Sequence, residues 1–210
     1  MYINFGLERK LTCIVLATII CLTFAFVGCE DEVTLPPGTL AVSAEGPEGI
    51  ELLLVDIQTQ LQTNITNRPG SHSHPVFSPD GKKILYITES RDQISLYQYS
   101  VADKTTSQLP VSPPSAAKWA PDGKSIIFYC DKKICVANTK GEITSQWSPG
   151  DYLKIIETNG PPSRSAESGD LAFLAENSKQ EVDIYVVDEN WENLRRVLYN
   201  RTSKYMPPYQ

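Results

Sequence analysis

The chain has 210 residues, 41% of them hydrophobic, enough for one medium-sized domain with a sizeable core. Its formal net charge is −6, from 25 acidic and 19 basic residues. That balance lacks the basic footprint a phosphate backbone demands, so nucleic acid is not an expected partner, and any membrane contact needs a dedicated anchor.

The N-terminus offers such an anchor. Arg9 and Lys10 form a short positive start, Leu11 to Val27 is uncharged and mostly apolar, and Gly28-Cys29 precedes Glu30 and Asp31. A basic start, an apolar run and a small residue before the break make a secretory signal. Ala25-Phe26-Val27-Gly28-Cys29 resembles the lipobox of bacterial lipoproteins, with Phe26 standing where leucine is usual. The resemblance implies a signal peptide over 1–28, a diacylglycerol on Cys29, and a lipidated tether over 29–37. An uncleaved transmembrane anchor and an ordinary cleaved signal are the alternatives. With either anchor the domain lies outside the cytoplasm, attached to a bacterial membrane as a cell-envelope protein, periplasmic or at the surface.

Beyond the tether the chain repeats itself. Val76-Phe77-Ser78-Pro79-Asp80-Gly81-Lys82-Lys83-Ile84-Leu85-Tyr86 matches Lys118-Trp119-Ala120-Pro121-Asp122-Gly123-Lys124-Ser125-Ile126-Ile127-Phe128 at an offset of 42 residues. Arg164 to Phe173 is a weaker copy without the proline, and Pro37 to Val42 is a partial first one. Short β-rich runs follow each copy: Ile50–Asp56, Ile94–Tyr99, Lys133–Ala137 and Asp183–Asp188. Evenly spaced short strands between turn signals predict an all-β fold. In Ser78-Pro79-Asp80-Gly81 the proline fixes φ at the second turn position, and the glycine can take the left-handed conformation that closes a three-residue hairpin loop. A unit is then four strands in about 42 residues, the size of a propeller blade.

These Phe/Trp-Ser/Ala-Pro-Asp-Gly-Lys units resemble the WD-like repeats of TolB-type β-propellers, which also occur in the propeller domains of prolyl oligopeptidase-like and tricorn-like peptidases. The resemblance implies a β-propeller-type repeat domain over 38–210, with four-stranded blades near 38–70, 71–112, 113–150 and 151–202. Trp147-Ser148-Pro149-Gly150-Asp151 mimics the turn but lies too close to Trp119 to begin a blade, so it reads as the outer edge of the third. Residues 203–210 look like an innermost strand with no turn after it. They either close a small ring against the first blade or leave an open arc, as in a fragment of a longer product.

Signs of chemistry are sparse. No Gly-x-Ser-x-Gly elbow or Gly-rich phosphate loop is present. His72 and His74, spaced to share a strand face, could hold a metal with a third ligand, but no such ligand lies nearby in sequence; they read as solvated residues entering an innermost strand. No catalytic residue, cofactor or metal is expected. Pro79, Asp80, Gly81, Pro121, Asp122 and Gly123 serve the repeat turns. Cys130 and Cys135 fall on the two arms of one hairpin and face the same side whether its loop has two or four residues, so a disulfide between them is a candidate in an oxidising compartment, against two reduced packing cysteines. Trp119, Phe128, Phe173 and Tyr86 recur at repeat positions and should pack between blades. The expected function is a non-enzymatic envelope lipoprotein that binds a protein or envelope polymer. The alternative is the accessory propeller of a peptidase-like or glycan-active enzyme whose catalytic part is absent from this chain.

Overall fold

The computed structural model describes residues 33–91, 93–112, 114, 116–157 and 160–197. The expected signal, the lipidated Cys29 and the segment 203–210 lie outside the described residues. Among those described the fold is all-β, with four antiparallel sheets and no α-helix. The first sheet holds β1 (Thr39–Gly46), β2 (Gly49–Asp56) and β3 (Gln62–Asn64). The second holds β4 (Ser71–Phe77), β5 (Lys83–Ser90), β6 (Gln93–Ser100) and β7 (Thr105–Gln108). The third holds β8 (Ala117–Trp119), β9 (Ser125–Cys130), β10 (Lys133–Asn138) and β11 (Ile143–Trp147). The fourth is built on β14 (Leu171–Asn177), β15 (Val182–Val187) and β16 (Arg195–Val197), with β12 (Leu153–Ile155) and β13 (Ser163–Arg164) both paired to β14.

Two sheets depart from four strands. The first has three, because residues 33–38 do not pair with β1; Leu35 instead packs on the core between the first and second sheets. In the fourth the innermost strand is cut in two. Leu153, Lys154 and Ile155 pair with Asn177, Glu176 and Ala175, while Ser163 and Arg164 pair with Ala172 and Leu171. The second sheet shows where the cut arises: β4 shifts register between Ser73 and Val76, with His74 at φ 56°. What is a bulge at His74-Pro75 is an excursion in the fourth sheet, and Gly160-Pro161-Pro162 is a breaker cluster suited to it.

Strand alternation sets the packing. Along β5, Ile84 and Tyr86 face the first sheet while Leu85 and Ile87 face the third. Along β9, Ile126 and Phe128 face the second sheet while Ile127 and Tyr129 face the fourth. Three cores result, one in each gap between neighbouring sheets. The recurring aromatics sit there, with Phe128 at 0%, Tyr86 at 1%, Phe173 at 4% and Trp119 at 6% exposure. Each sheet thus stacks on the next as blades do, and the four repeats form a propeller-type arc.

The repeat turns hold the arc's geometry. The Gly81 N–H donates to the Ser78 carbonyl at 2.8 Å, and Gly123 to Ala120 at 3.0 Å; both glycines are left-handed, at φ 69° and 66°. The loop is one residue longer than the three-residue expectation, since Ser78 N–H bonds Lys83 and Ala120 N–H bonds Ser125. Side chains explain the extra residue: Asp80 Oδ1 accepts the Lys82 N–H at 3.1 Å, and Ser78 Oγ accepts the Lys83 N–H at 2.9 Å. The degenerate third copy keeps the outer bond, Ser165 to Asp170 at 2.8 Å, but its Gly169 N–H reaches back four residues to Ser165 instead of three.

Candidate binding surface

Antiparallel alternation puts the turns between first and second strands, and between third and fourth, on one rim of the arc. Nearly every turn there opens with a short polar side chain that captures backbone N–H groups ahead of it. Asp56 takes Gln58 and Thr59, Asp80 takes Lys82, Asp122 takes Lys124, and Asn138 takes Lys140 and Glu142. Ser165 takes Glu167 and Ser168, and Asp188 takes Asn190 and Glu192. These Asx- and Ser-type caps make the rim rigid though its residues are exposed. For Asp80 the Ser78 hydroxyl first and the Lys82 N–H next hold the carboxyl below the ordinary aspartate range; Asp56 and Asp188 are lowered mainly by the N–H groups of Gln58 and Glu192.

The inner strands carry the contacts between blades nearest the centre. Lys118 on β8 donates to Ser163 Oγ on β13 at 2.7 Å, and burial lowers the lysine's pKa. The Trp119 indole N–H donates to the Val76 carbonyl on β4 at 3.2 Å. Neither bond is legible in the sequence, because strand alternation says which face a residue takes but not which partner it meets across the gap.

The two histidines do not form a pair. His72 is fully buried: Nε2–H donates to the Arg68 carbonyl at 3.1 Å, Nδ1 accepts from the Thr88 hydroxyl at 2.9 Å, and the ring meets Tyr86 edge-on. His74 is exposed, with Nδ1 2.9 Å from Ser73 Oγ. The bulge between them breaks the alternation on which a shared face depends, and it makes His72 a core residue instead of a solvated one. Among the described residues no group of three His, Cys, Asp or Glu side chains could hold a metal ion. Cys130 and Cys135 are joined in a disulfide, with Cα atoms 6.0 Å apart across the β9–β10 hairpin. The loop there is the two-residue Asp131-Lys132, both at positive φ (48° and 63°), the conformation of a type I′ turn.

One cavity follows from the split strand. Ile156, Gly160 and Pro161 line a cavity of about 200 Å³, floored by Ala172, Leu174 and Ile184, and the Ile156 N–H still donates to the Leu174 carbonyl of β14 at 2.9 Å. Tyr129 reaches its wall; burial, with Glu157 adding, pushes that phenol up to about 12. The space is smaller than the roughly 300–1,000 Å³ usual for small-molecule sites.

No family model matches the chain. Over 67 residues it is 39% identical to dipeptidyl-peptidase 5 of Aspergillus fumigatus, a stretch covering 28% of this chain and 9% of that protein. Among solved structures, TolB from Acinetobacter baumannii superposes with a TM-score of 0.59 at 20% identity, covering 76% of this chain and 40% of TolB. A puromycin hydrolase S511A mutant complexed with PGG superposes at 0.57 and 19% identity, covering 78% of this chain and 30% of that one. The chain therefore spans less than a tenth of the peptidase and two-fifths of TolB. At these identities the likeness establishes a TolB-like propeller fold, shared with peptidase-related proteins.

Proposed function

We propose that the chain is a membrane-anchored, non-enzymatic β-propeller lipoprotein of the bacterial cell envelope that binds a protein or envelope polymer. The observation that carries the binding role is the clamped rim. Loops held by side-chain caps on stacked sheets lose little conformational entropy on association, so contact energy there is available for affinity. The TolB likeness favours a protein partner, since proteins of that kind act in envelope assembly through protein contacts. The anchoring role rests on the lipobox-like Ala25–Cys29.

A second reading draws on the 39% identity to dipeptidyl-peptidase 5: the chain would serve as the accessory propeller of a peptidase-like enzyme. The two separate in one experiment on the full chain expressed in a bacterium. The lipoprotein reading expects acyl-chain mass on Cys29, membrane fractionation, and release of the Cys29→Ala variant from that fraction. It further expects in-cell crosslinking to capture an envelope partner through the Asp122–Lys124 turn. A Cys29→Ala variant that fractionates like the parent sinks the anchor, and co-purification with a peptidase catalytic subunit favours the second reading.

A further inference from the structure

The two middle sheets carry the same tetrapeptide between their first and second strands, Pro79-Asp80-Gly81-Lys82 and Pro121-Asp122-Gly123-Lys124. Both aspartates are exposed, and both glycines are left-handed. An exposed Asp-Gly pair has a reaction of its own. The glycine nitrogen, with no side chain on its residue to hinder it, attacks the aspartate Cγ and closes a five-membered imide. The residue ahead of the tetrapeptide differs: Ser78 in the second sheet, Ala120 in the third. The local sequence gives the two sites equal chemistry, so a difference in rate must come from what holds each carboxylate.

Asp80 is held from both ends of its turn. Its Oδ1 accepts the Ser78 hydroxyl at 2.6 Å and the Lys82 N–H at 3.1 Å. Ser78 is itself fixed: it is buried, and its Oγ accepts the Lys83 N–H at 2.9 Å. A hydroxyl on a carboxylate at that length is among the stronger hydrogen bonds of a protein. Asp122 is held from one side only. Its Oδ1 accepts the Lys124 N–H at 2.9 Å, and the Ser125 hydroxyl, at 3.4 Å, lies at the limit of a bond. The methyl group of Ala120 has nothing to donate. The attacking nitrogens differ in the same sense, since the Gly81 N–H donates to its carbonyl at 2.8 Å and the Gly123 N–H at 3.0 Å. Ring closure requires the carboxyl to leave its donors and turn to the glycine nitrogen, so the second-sheet turn has one strong bond more to break. The Ser78 hydroxyl is also the main cause holding the Asp80 carboxyl below the ordinary range, and the ionised carboxylate closes the ring less readily than the acid.

We propose that Asp122 is a site of spontaneous isoaspartate formation on the rim, and that Ser78 protects Asp80 from the same reaction. In the first step the Gly123 nitrogen bonds to Asp122 Cγ, its proton passes to solvent, and the carboxyl oxygen leaves as water. In the second, water adds to the former main-chain carbonyl carbon of Asp122, and the bond from that carbon to the Gly123 nitrogen breaks. That carbon becomes a free carboxylate, the main chain runs on through Cβ and Cγ, and the mass is unchanged. The turn is then one main-chain atom longer, and the Gly123 N–H is moved off the Ala120 carbonyl. The neighbouring turn feels the change, because a Cβ placed on Gly123 would lie 3.6 Å from Pro79 Cδ. The reaction needs only solvent water and does not depend on a partner at the rim.

The test is to age the full chain at about pH 5, folded and in urea, and to follow isoaspartate at each site by peptide mass spectrometry with electron-transfer fragmentation. In the folded chain isoaspartate should build up at Asp122 about tenfold faster than at Asp80, the ratio that one charge-assisted hydrogen bond supports. In urea the two rates should converge, because the tetrapeptides are identical. Exchanging the preceding residues should exchange the rates: Ser78→Ala raises that of Asp80, and Ala120→Ser lowers that of Asp122. Each variant gives one turn the residue the other already carries, and an unchanged thermal midpoint confirms that it folds. Deamidation at Asn159-Gly160 alters the peptide mass and is read separately. Equal rates in the folded chain, no isoaspartate at Asp122, a difference that persists in urea, or an Asp80 rate that ignores Ser78→Ala each overturn the proposal.

Discussion

Asp80 shows how one side chain can tie local geometry to acid stability. Its carboxylate accepts the Ser78 hydroxyl at 2.6 Å and the Lys82 N–H at 3.1 Å, and these bonds lower its pKa from the ordinary 3.8. A carboxyl depressed in the folded state contributes stability that is fully present above its unfolded value and is lost as pH falls through its folded value. Asp56 and Asp188 are depressed in the same direction. The thermal midpoint should therefore hold steady from neutral pH down to about 4 and then fall. Asp80→Asn keeps the Oδ1 acceptor but removes the charge, so its midpoint should fall less steeply below 3.8 than the parent's. Equal acid slopes in the two proteins, followed by circular dichroism, would remove Asp80 from this account.

At the scale of the element, what could be read from the sequence was whatever local chemistry fixes. Pro79-Asp80-Gly81 and Pro121-Asp122-Gly123 determine a turn with few alternatives, and the aromatic spacing around them places the same side chains in successive gaps. The splitting of the first strand of the fourth sheet was not legible, because β12 is three residues and β13 two, too short for any alternation to register. The His72–His74 face failed for a related reason: a single extra residue at His74-Pro75 reverses the period-two rule, and nothing in the composition announces it. The β9–β10 hairpin lies between these cases. Its cysteines could be placed on one side of the sheet from pairing alone, but the Asp131-Lys132 turn had to be seen. The crosslink closes so short a loop that the chain-entropy model gives it at most about 2 kcal/mol. Reduction, or Cys130→Ala with Cys135→Ala, should lower stability by no more than that plus a small packing loss, as read from urea midpoints at constant slope. A loss above about 4 kcal/mol would mean that the pair supports the core between the second and third sheets and does more than close the hairpin.

For the whole molecule, stacked repeats make stability a sum of sheet and interface contributions that need not be equal along the arc. The second and third sheets are covered on both faces, and β5 and β9 carry residues buried at 0–6% on each side. Among the described residues the first and fourth sheets pack on a neighbouring sheet through one face only, and they end in short strands: β3 is half-exposed to exposed and all three residues of β16 are exposed. Opening an end sheet exposes one interface, whereas opening a middle sheet exposes two. Hydrogen exchange on the chain should therefore be ordered in space, with β3 and β16 exchanging first and β5 and β9 last. Since local opening free energies range from near zero up to the global value, the spread between these groups should reach several kcal/mol. Uniform protection across all four sheets would show that the arc unfolds as one cooperative unit, and the end sheets would then owe their order to the body and not to their own single interface.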